Sequence, residues 1–79
     1  MSVKLLSNLG IGEKGRIVRI RGEVAMHRLL FDLGLFVGRT VSIEKTGLPP
    51  LGDPIEIRVQ ESVLSLEKQI AANIHVEVA

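Results

Sequence analysis

The sequence predicts a mainly β fold, a small barrel of about five strands with one α-helix inserted between strands 1 and 2. Two patterns carry this prediction. Short segments in which apolar and polar residues alternate recur along most of the chain, whereas only residues 23–38 show the apolar spacing of a helix. With 79 residues the chain has room for one domain, and we expect residues 1–79 to form it.

The predicted helix lies within residues 23–38, where apolar side chains recur every four positions and form a stripe that we expect to face the core. Gly34 follows the last residue of the stripe, at the position where a helix needs a left-handed C-cap, and Gly38 marks a second turn. Val24 and Phe31 lie away from the stripe on a helical wheel. The stripe consists of Ala25, Leu29 and Leu33, widened by Met26 and Leu30.

Strands are predicted from alternation on both sides of the helix. The first strand, residues 16–21, places Val18 and Ile20 on one face and Arg19 and Arg21 on the other, where Ile17 joins the two arginines. Ahead of it, residues 3–9 are apolar enough to form an arm or one helical turn across the barrel. After the helix, the predicted segments are a strand beginning at 40–43, a loop at 46–54, strands at 55–59 and 63–66, a helical turn at 67–72 and a closing strand at 74–78.

The amino-acid composition excludes several kinds of functional site. The chain has no cysteine, which excludes disulfides, iron–sulfur clusters and thiolate zinc sites. Ten basic and nine acidic residues give a net charge of +1, so the molecule has no strong overall field. A secretion signal is missing, as is any apolar run near the roughly 20 residues of a membrane span. We therefore expect a cytoplasmic protein with no direct membrane insertion.

Catalysis and metal binding find little support in the sequence. Glu44, Glu56 and Glu77 alternate with apolar residues on strands and should face water, and neither histidine belongs to a recognisable nucleophile motif. Glu23 and His27 are four residues apart on the helix, a spacing that suits a shared metal ion but equally an ion pair. We expect no enzyme and no cofactor, and we keep a metal sensor using this pair as an alternative.

A basic segment offers a nucleic-acid alternative. Residues 13–22 resemble the turn and strand of KOW modules, which are SH3-like barrels in ribosome-associated and transcription factors. Lys14, Arg16, Arg19 and Arg21 could hold phosphates there. The rest of the chain supplies neither a basic stripe nor stacking aromatic residues, since its two aromatics are both Phe. We expect no nucleic acid partner and keep an RNA- or ribosome-binding module as the alternative.

Two apolar features remain once the core is accounted for. In the loop, Leu48 and Leu51 flank two prolines, whose rings stiffen the loop and lower the entropy cost of docking it. On the helix, Val24 and Phe31 lie near His27. Both features could instead fold back onto the ends of the barrel. The hypothesis is partner binding or self-association through Val24, His27, Phe31, Leu48, Pro49, Pro50, Leu51 and Asp53.

With these segments in place, the chain resembles the ferrous iron transport protein A (FeoA) family over nearly its whole length, from about Leu6 to Val78. Four segments in the same order carry the resemblance. They are the turn and strand at 12–20, the helix end at 28–38 with its Leu-Gly-Leu, the Pro-Leu-Gly-Asp-Pro-Ile at 50–55, and the Leu-Ser-Leu at 64–66 followed by Ala71 and the strand at 74–76.

The resemblance implies an SH3-like β-barrel with a helix after the first strand. It also implies a small cytosolic accessory protein of bacterial ferrous iron uptake that acts on FeoB, a membrane transporter with a cytosolic GTP-binding domain. The same barrel occurs as the C-terminal domain of DtxR-type iron-dependent repressors, so a free-standing relative of that domain is a further alternative. The family has no agreed catalytic or metal-binding residues to carry over. The resemblance leaves open whether the protein activates, assembles or regulates its transporter, and in what oligomeric state.

Overall fold

The computed structural model describes residues 1–79 and confirms a mainly β fold with one principal helix. A single sheet contains six strands rather than the expected five. In chain order the elements are β1 (Ser2–Leu5), a 3₁₀ turn (Leu6–Asn8), β2 (Lys14–Ile20), α1 (Val24–Asp32), β3 (Thr40–Lys45), β4 (Ile55–Val59), β5 (Ser62–Leu66), α2 (Lys68–Ala71) and β6 (Ile74–Val78).

All neighbouring strands in the sheet are antiparallel, in the order β1-β6-β2-β3-β4-β5. From β2 to β5 each strand lies beside the next in sequence, with α1 inserted into the connection between β2 and β3. The last strand, β6, returns to the free side of β2 and then accepts β1 as its other neighbour. The two ends of the chain are therefore paired to each other at one edge of the sheet.

The sheet packs around one core, and the molecule extends 31, 28 and 23 Å along its principal axes. Inside lies one cluster of fifteen buried apolar residues, to which five of the six strands, both helices and the 3₁₀ turn contribute. No polar or charged residue is buried.

Strands with strict alternation form where the sequence predicts them. β4 and β6 match the predicted bounds, because their apolar residues are buried at every second position. The additional strand is β1, within the segment expected to be an arm or a helical turn; only the 3₁₀ turn that follows it fits that expectation. Its register with β6 pairs Ser2 with Val78, a contact between the two ends of the chain that local pattern does not reveal.

The prediction of which β2 side chains face the core is wrong in part. Ile17 is fully buried in the core, whereas Val18 and Ile20 are only partly buried. The cause is a β-bulge, since Ile17 is opposite Val76 while Arg19 is opposite the adjacent His75, which leaves Val18 without a partner. The extra residue moves the alternation by one position, so that Ile17 before the bulge and Ile20 after it both reach the interior side.

Helix α1 is capped at its C-terminal end by the predicted glycine. Gly34 has φ +89°, its N–H donates to the Phe31 carbonyl, and the N–H of Leu35 donates to the Leu30 carbonyl at 2.8 Å. This pair of bonds is a Schellman motif, which provides hydrogen-bond donors for carbonyl groups that would otherwise be unpaired at the helix end. Leu30 and Leu35, on either side of the cap, are both fully buried. The cap thereby fixes the helix to the core at its C-terminal end.

The expected core stripe of α1 is largely wrong. Ala25 is exposed, and Leu29 and Leu33 are 54% and 42% exposed. The core side of the helix consists instead of Met26, partly buried, and Leu30. A nine-residue helix anchored mainly at its C-terminal end covers the sheet along one narrow line, so the neighbouring apolar line remains in solvent.

Candidate functional site

The loop between β3 and β4 carries one of the two predicted contact surfaces. Residues 46–54, which we call the proline loop, expose Leu48 at 86% and Leu51 at 75%, and both Pro49 and Pro50 are exposed. Neither leucine folds back onto the barrel. Large apolar side chains held in water in this way are typical of docking sites.

Backbone contacts hold the base of the proline loop together. The Gly52 N–H donates to the Leu48 carbonyl at 3.0 Å. Gly47 lies so close to the backbone of Asp53 that a Cβ at this position would overlap it. A residue with a side chain would therefore force the two ends of the loop apart. The loop is closed at its base, and its apolar tip is presented outward.

Asp53 has a structural role in addition to any contact role. Its Oδ1 accepts a hydrogen bond from the backbone N–H of Lys68, the first residue of α2, at 2.9 Å. The Nζ of Lys68 in turn donates to the carbonyl of Leu51 at 3.2 Å. These two bonds attach the proline loop to α2, so the exposed leucines stand on a fixed base. The sequence placed Asp53 in the contact surface but did not indicate this anchoring function.

Helix α1 carries the second predicted surface. We call Val24, His27 and Phe31 the outer helix face; Val24 is 76% and Phe31 63% exposed, and His27 is exposed. The rings of Phe31 and Phe36 are 5.4 Å apart between centroids and tilted by 42°. Together with His27 these rings line a shallow apolar hollow of about 200 Å³, completed by Ile20, Leu35 and Val37.

The structure brings some of the predicted residues together and keeps others apart. His27 and Phe31 share the apolar hollow, whereas Val24 does not line it. The proline loop is anchored through α2, while α1 is anchored through its cap, so the two surfaces depend on different elements. Further apolar residues that the sequence did not assign to a contact surface are exposed on α1 and just after it: Leu29, Leu33 and Val37.

The strand carboxylates do not converge on one site. Glu44 is bonded to Arg58, Glu56 lies 3.8 Å from Lys45, and Glu77 lies 3.1 Å from Arg16. Each carboxylate is thus close to one cation on the outer surface of the sheet. Such pairs contribute little to stability when exposed. Two carboxylates that act together as general acid and base would instead have to face one pocket.

The pair proposed for metal binding has no third ligand. Glu23 and His27 are exposed, and no group of three or more His, Cys, Asp or Glu side chains is arranged to hold a metal ion. The second histidine, His75, lies on β6; its Nε2 is buried and makes no hydrogen bond.

The basic residues of the nucleic-acid alternative are all exposed: Lys14, Arg16, Arg19 and Arg21. Of these, Arg16 is paired with Glu77. None of the helices combines the length and the apolar composition of a membrane-spanning segment.

Known proteins match this chain over nearly its full length. The FeoA domain model matches residues 4–78. A curated relative from Porphyromonas gingivalis, an Fe(2+) transport protein A/Fe(2+) transporter FeoB fusion protein, is 32% identical over 72 residues. That match covers 91% of this chain but only 8% of the length of the fusion protein.

Solved structures show the same fold. The crystal structure of an iron uptake regulatory protein (FeoA) superposes with a TM-score of 0.88 at 28% identity, covering all of both chains. A FeoA from Stenotrophomonas maltophilia, crystallised with zinc and described as a prokaryotic SH3 domain protein, has a TM-score of 0.76 at 24% identity, covering 91% of this chain and 87% of that one. The predicted SH3-like fold is confirmed.

Proposed function

This chain belongs to the FeoA family, and we propose that it is a small cytosolic accessory protein of bacterial ferrous iron uptake. In this proposal residues 1–79 act as one non-catalytic domain that binds the cytosolic part of a FeoB-type transporter. The fusion relative supports a transporter as partner, because the two functions are joined in one polypeptide there. A fused domain has a high effective concentration at its partner, so a separate chain needs a contact surface of its own.

The observation that carries the proposal is the pair of exposed apolar surfaces. The proline loop presents Leu48 and Leu51, and the outer helix face presents Val24 and Phe31, all of them more than 60% exposed. An apolar side chain contributes to binding when a partner removes it from water. The loop is also anchored at its base, so docking it costs less conformational entropy than docking a mobile segment.

We expect Leu51→Asp to weaken binding to the cytosolic part of the transporter by about tenfold or more, because a charged carboxylate would be buried in an apolar contact. Phe31→Ala tests the outer helix face in the same way. Affinities can be measured by isothermal titration calorimetry. An amide NMR spectrum of each variant establishes that it is folded, which the exposure of both side chains leads us to expect.

Ile11→Asp is the matched control. Ile11 is 66% exposed in the turn before β2 and belongs to neither surface, so this variant should bind like the wild type. Equal weakening by Ile11→Asp would point to a general effect of added negative charge. Wild-type affinity in both Leu51→Asp and Phe31→Ala would remove both surfaces from the proposal. Self-association, the other expected use of an apolar surface, would appear as a concentration-dependent mass in the absence of the transporter.

A further inference from the structure

A second hollow, of about 430 Å³, opens on the outer surface of β2, β3 and β4, and it contains no residue of the proline loop or of the outer helix face. Its polar lining contains three cations and three neutral hydrogen-bonding side chains, and no carboxylate. We call it the cationic hollow. These six residues are Lys14, Arg39, Arg58, Thr40, Ser42 and Gln60.

The register of the sheet explains why these side chains meet. Lys14 of β2 is opposite Ser42 of β3, which is opposite Arg58 of β4. The three residues therefore form a row across three strands on one face of the sheet. Thr40 is two residues from Ser42 and lies on the same face, and Gln60 follows β4 by one residue. Side chains from separate parts of the sequence thus converge on one concave surface.

Two of the three cations are not neutralised by the protein. Neither Lys14 nor Arg39 takes part in a salt bridge, whereas Arg58 is bonded through its Nε to Glu44. The Arg39 guanidinium stacks over the Phe36 ring, with its central carbon 4.3 Å from the ring centroid. This contact orients the guanidinium while its N–H groups stay available. Elsewhere on the sheet Arg16 and Lys45 are each next to a glutamate, whereas Lys14 and Arg39 are not.

We propose that the cationic hollow binds a small oxyanion that carries at least two anionic groups, such as a polyphosphate or a polycarboxylate. A concave surface lined by one sign of charge concentrates its field and attracts counter-ions. Strands are about 4.8 Å apart, so the backbones of Lys14 and Arg58 are separated by about 10 Å. A ligand with two or more anionic groups can span such a row and contact a cation at each end. The hydroxyls of Thr40 and Ser42 lie between these ends as further donors.

The test is a titration of the isolated protein with sodium triphosphate and, separately, with sodium citrate, at constant ionic strength, following backbone amide shifts. We expect saturable shifts confined to residues that line the hollow, such as Lys14, Thr40, Ser42 and Gln60. Lys14→Gln and Arg39→Gln should each weaken binding by about fivefold, the size expected for one exposed charged contact. Shifts with triphosphate alone would identify phosphate as the ligand chemistry, and shifts with citrate alone would identify carboxylate.

Arg19→Gln and Arg21→Gln are charge-matched controls, because each also removes one positive charge from an exposed position outside the hollow. They should bind both anions like the wild type. Equal weakening by all four variants would mean that the anions respond only to net charge, and would overturn the proposal. It would also be overturned if neither anion gave saturable shifts. No transporter is present in this experiment, so its outcome is independent of the function proposed above.

Discussion

Gly15 on β2 is a position where packing requires the absence of a side chain. A Cβ there would lie 2.7 Å from Cγ2 and 2.8 Å from Cβ of Val76, which is fully buried. Contacts this short force neighbouring atoms to shift. The glycine thus allows β2 and β6 to pack with a valine filling the space between them.

We expect Gly15→Ala to lower the free energy of unfolding by about 1–3 kcal/mol, the usual cost of overpacking a core. Urea denaturation followed by circular dichroism measures this change. Gly10→Ala is the control, since the nearest atom to a Cβ there is 4.0 Å away and its stability should hardly change. Combining Gly15→Ala with Val76→Ala should cost less than the sum of the two single changes. Strict additivity would contradict the packing explanation.

Glu13 makes stability depend on pH. The pKa of its carboxyl is held below the usual 4.5, first by the hydrogen bond from the Gly10 N–H and then by the one from the Lys4 side chain. Because the pKa is lower in the folded state, the ionised group contributes stability above the unfolded-state pKa. This contribution is lost as the pH falls through the folded-state value.

Stability should therefore decrease as the pH falls below about 4.5, and Glu13→Gln should show a smaller decrease. Urea denaturation at a series of pH values measures both. The Glu23→Gln variant serves as the control, because the Glu23 side chain makes no capping hydrogen bond. A Glu13→Gln variant with the full wild-type decrease would show that other carboxyl groups dominate acid unfolding.

Helix α1 depends on its C-terminal cap to remain attached to the sheet. A Cβ at Gly34 would lie 3.7 Å from Val59, an ordinary contact, so a side chain there meets no steric obstacle. The cost of a substitution comes instead from φ +89°, a left-handed conformation that residues with a Cβ avoid. A substitution at Gly34 therefore tests the cost of the left-handed backbone conformation separately from the cost of side-chain packing.

We expect Gly34→Ala to reduce the free energy of unfolding by about 1–2 kcal/mol, and Gly34→Asn to recover part of that loss because Asn tolerates the left-handed region. Thermal and urea unfolding of the three proteins provide the comparison. If alanine and asparagine were equally destabilising, the cost would not arise from the backbone conformation.

The elements differ in how far the sequence could predict them. β4 and β6 have the predicted bounds because alternation with period two is a local pattern. The bulge at Val18 and the strand β1 depend on pairing with β6, more than fifty residues away in sequence, and local pattern does not contain that information. For α1, the spacing of apolar residues identified an apolar side of the helix. Which of these residues pack on the sheet depends on how the cap orients the helix.

At the level of the whole molecule, the prediction of an SH3-like barrel is confirmed, and so is membership of the FeoA family. The exposure of the proline loop and of Phe31 could not be decided from sequence, since a domain of 79 residues often folds such side chains onto its ends. The cationic hollow was missed because its side chains come from β2, β3, β4 and residues next to these strands, and they meet only in the folded sheet. Partner binding by the outer helix face and the proline loop stays a prediction.

A titration with the cytosolic part of a FeoB-type transporter, following the backbone amide shifts of this protein, examines the proposed function at residue resolution. We expect the shifts to concentrate in residues 48–53 of the proline loop or on the outer helix face at Val24, His27 and Phe31. Shifts centred on the basic strand at Lys14–Ile20, or no shifts with and without guanine nucleotide, would contradict the proposed contact surfaces.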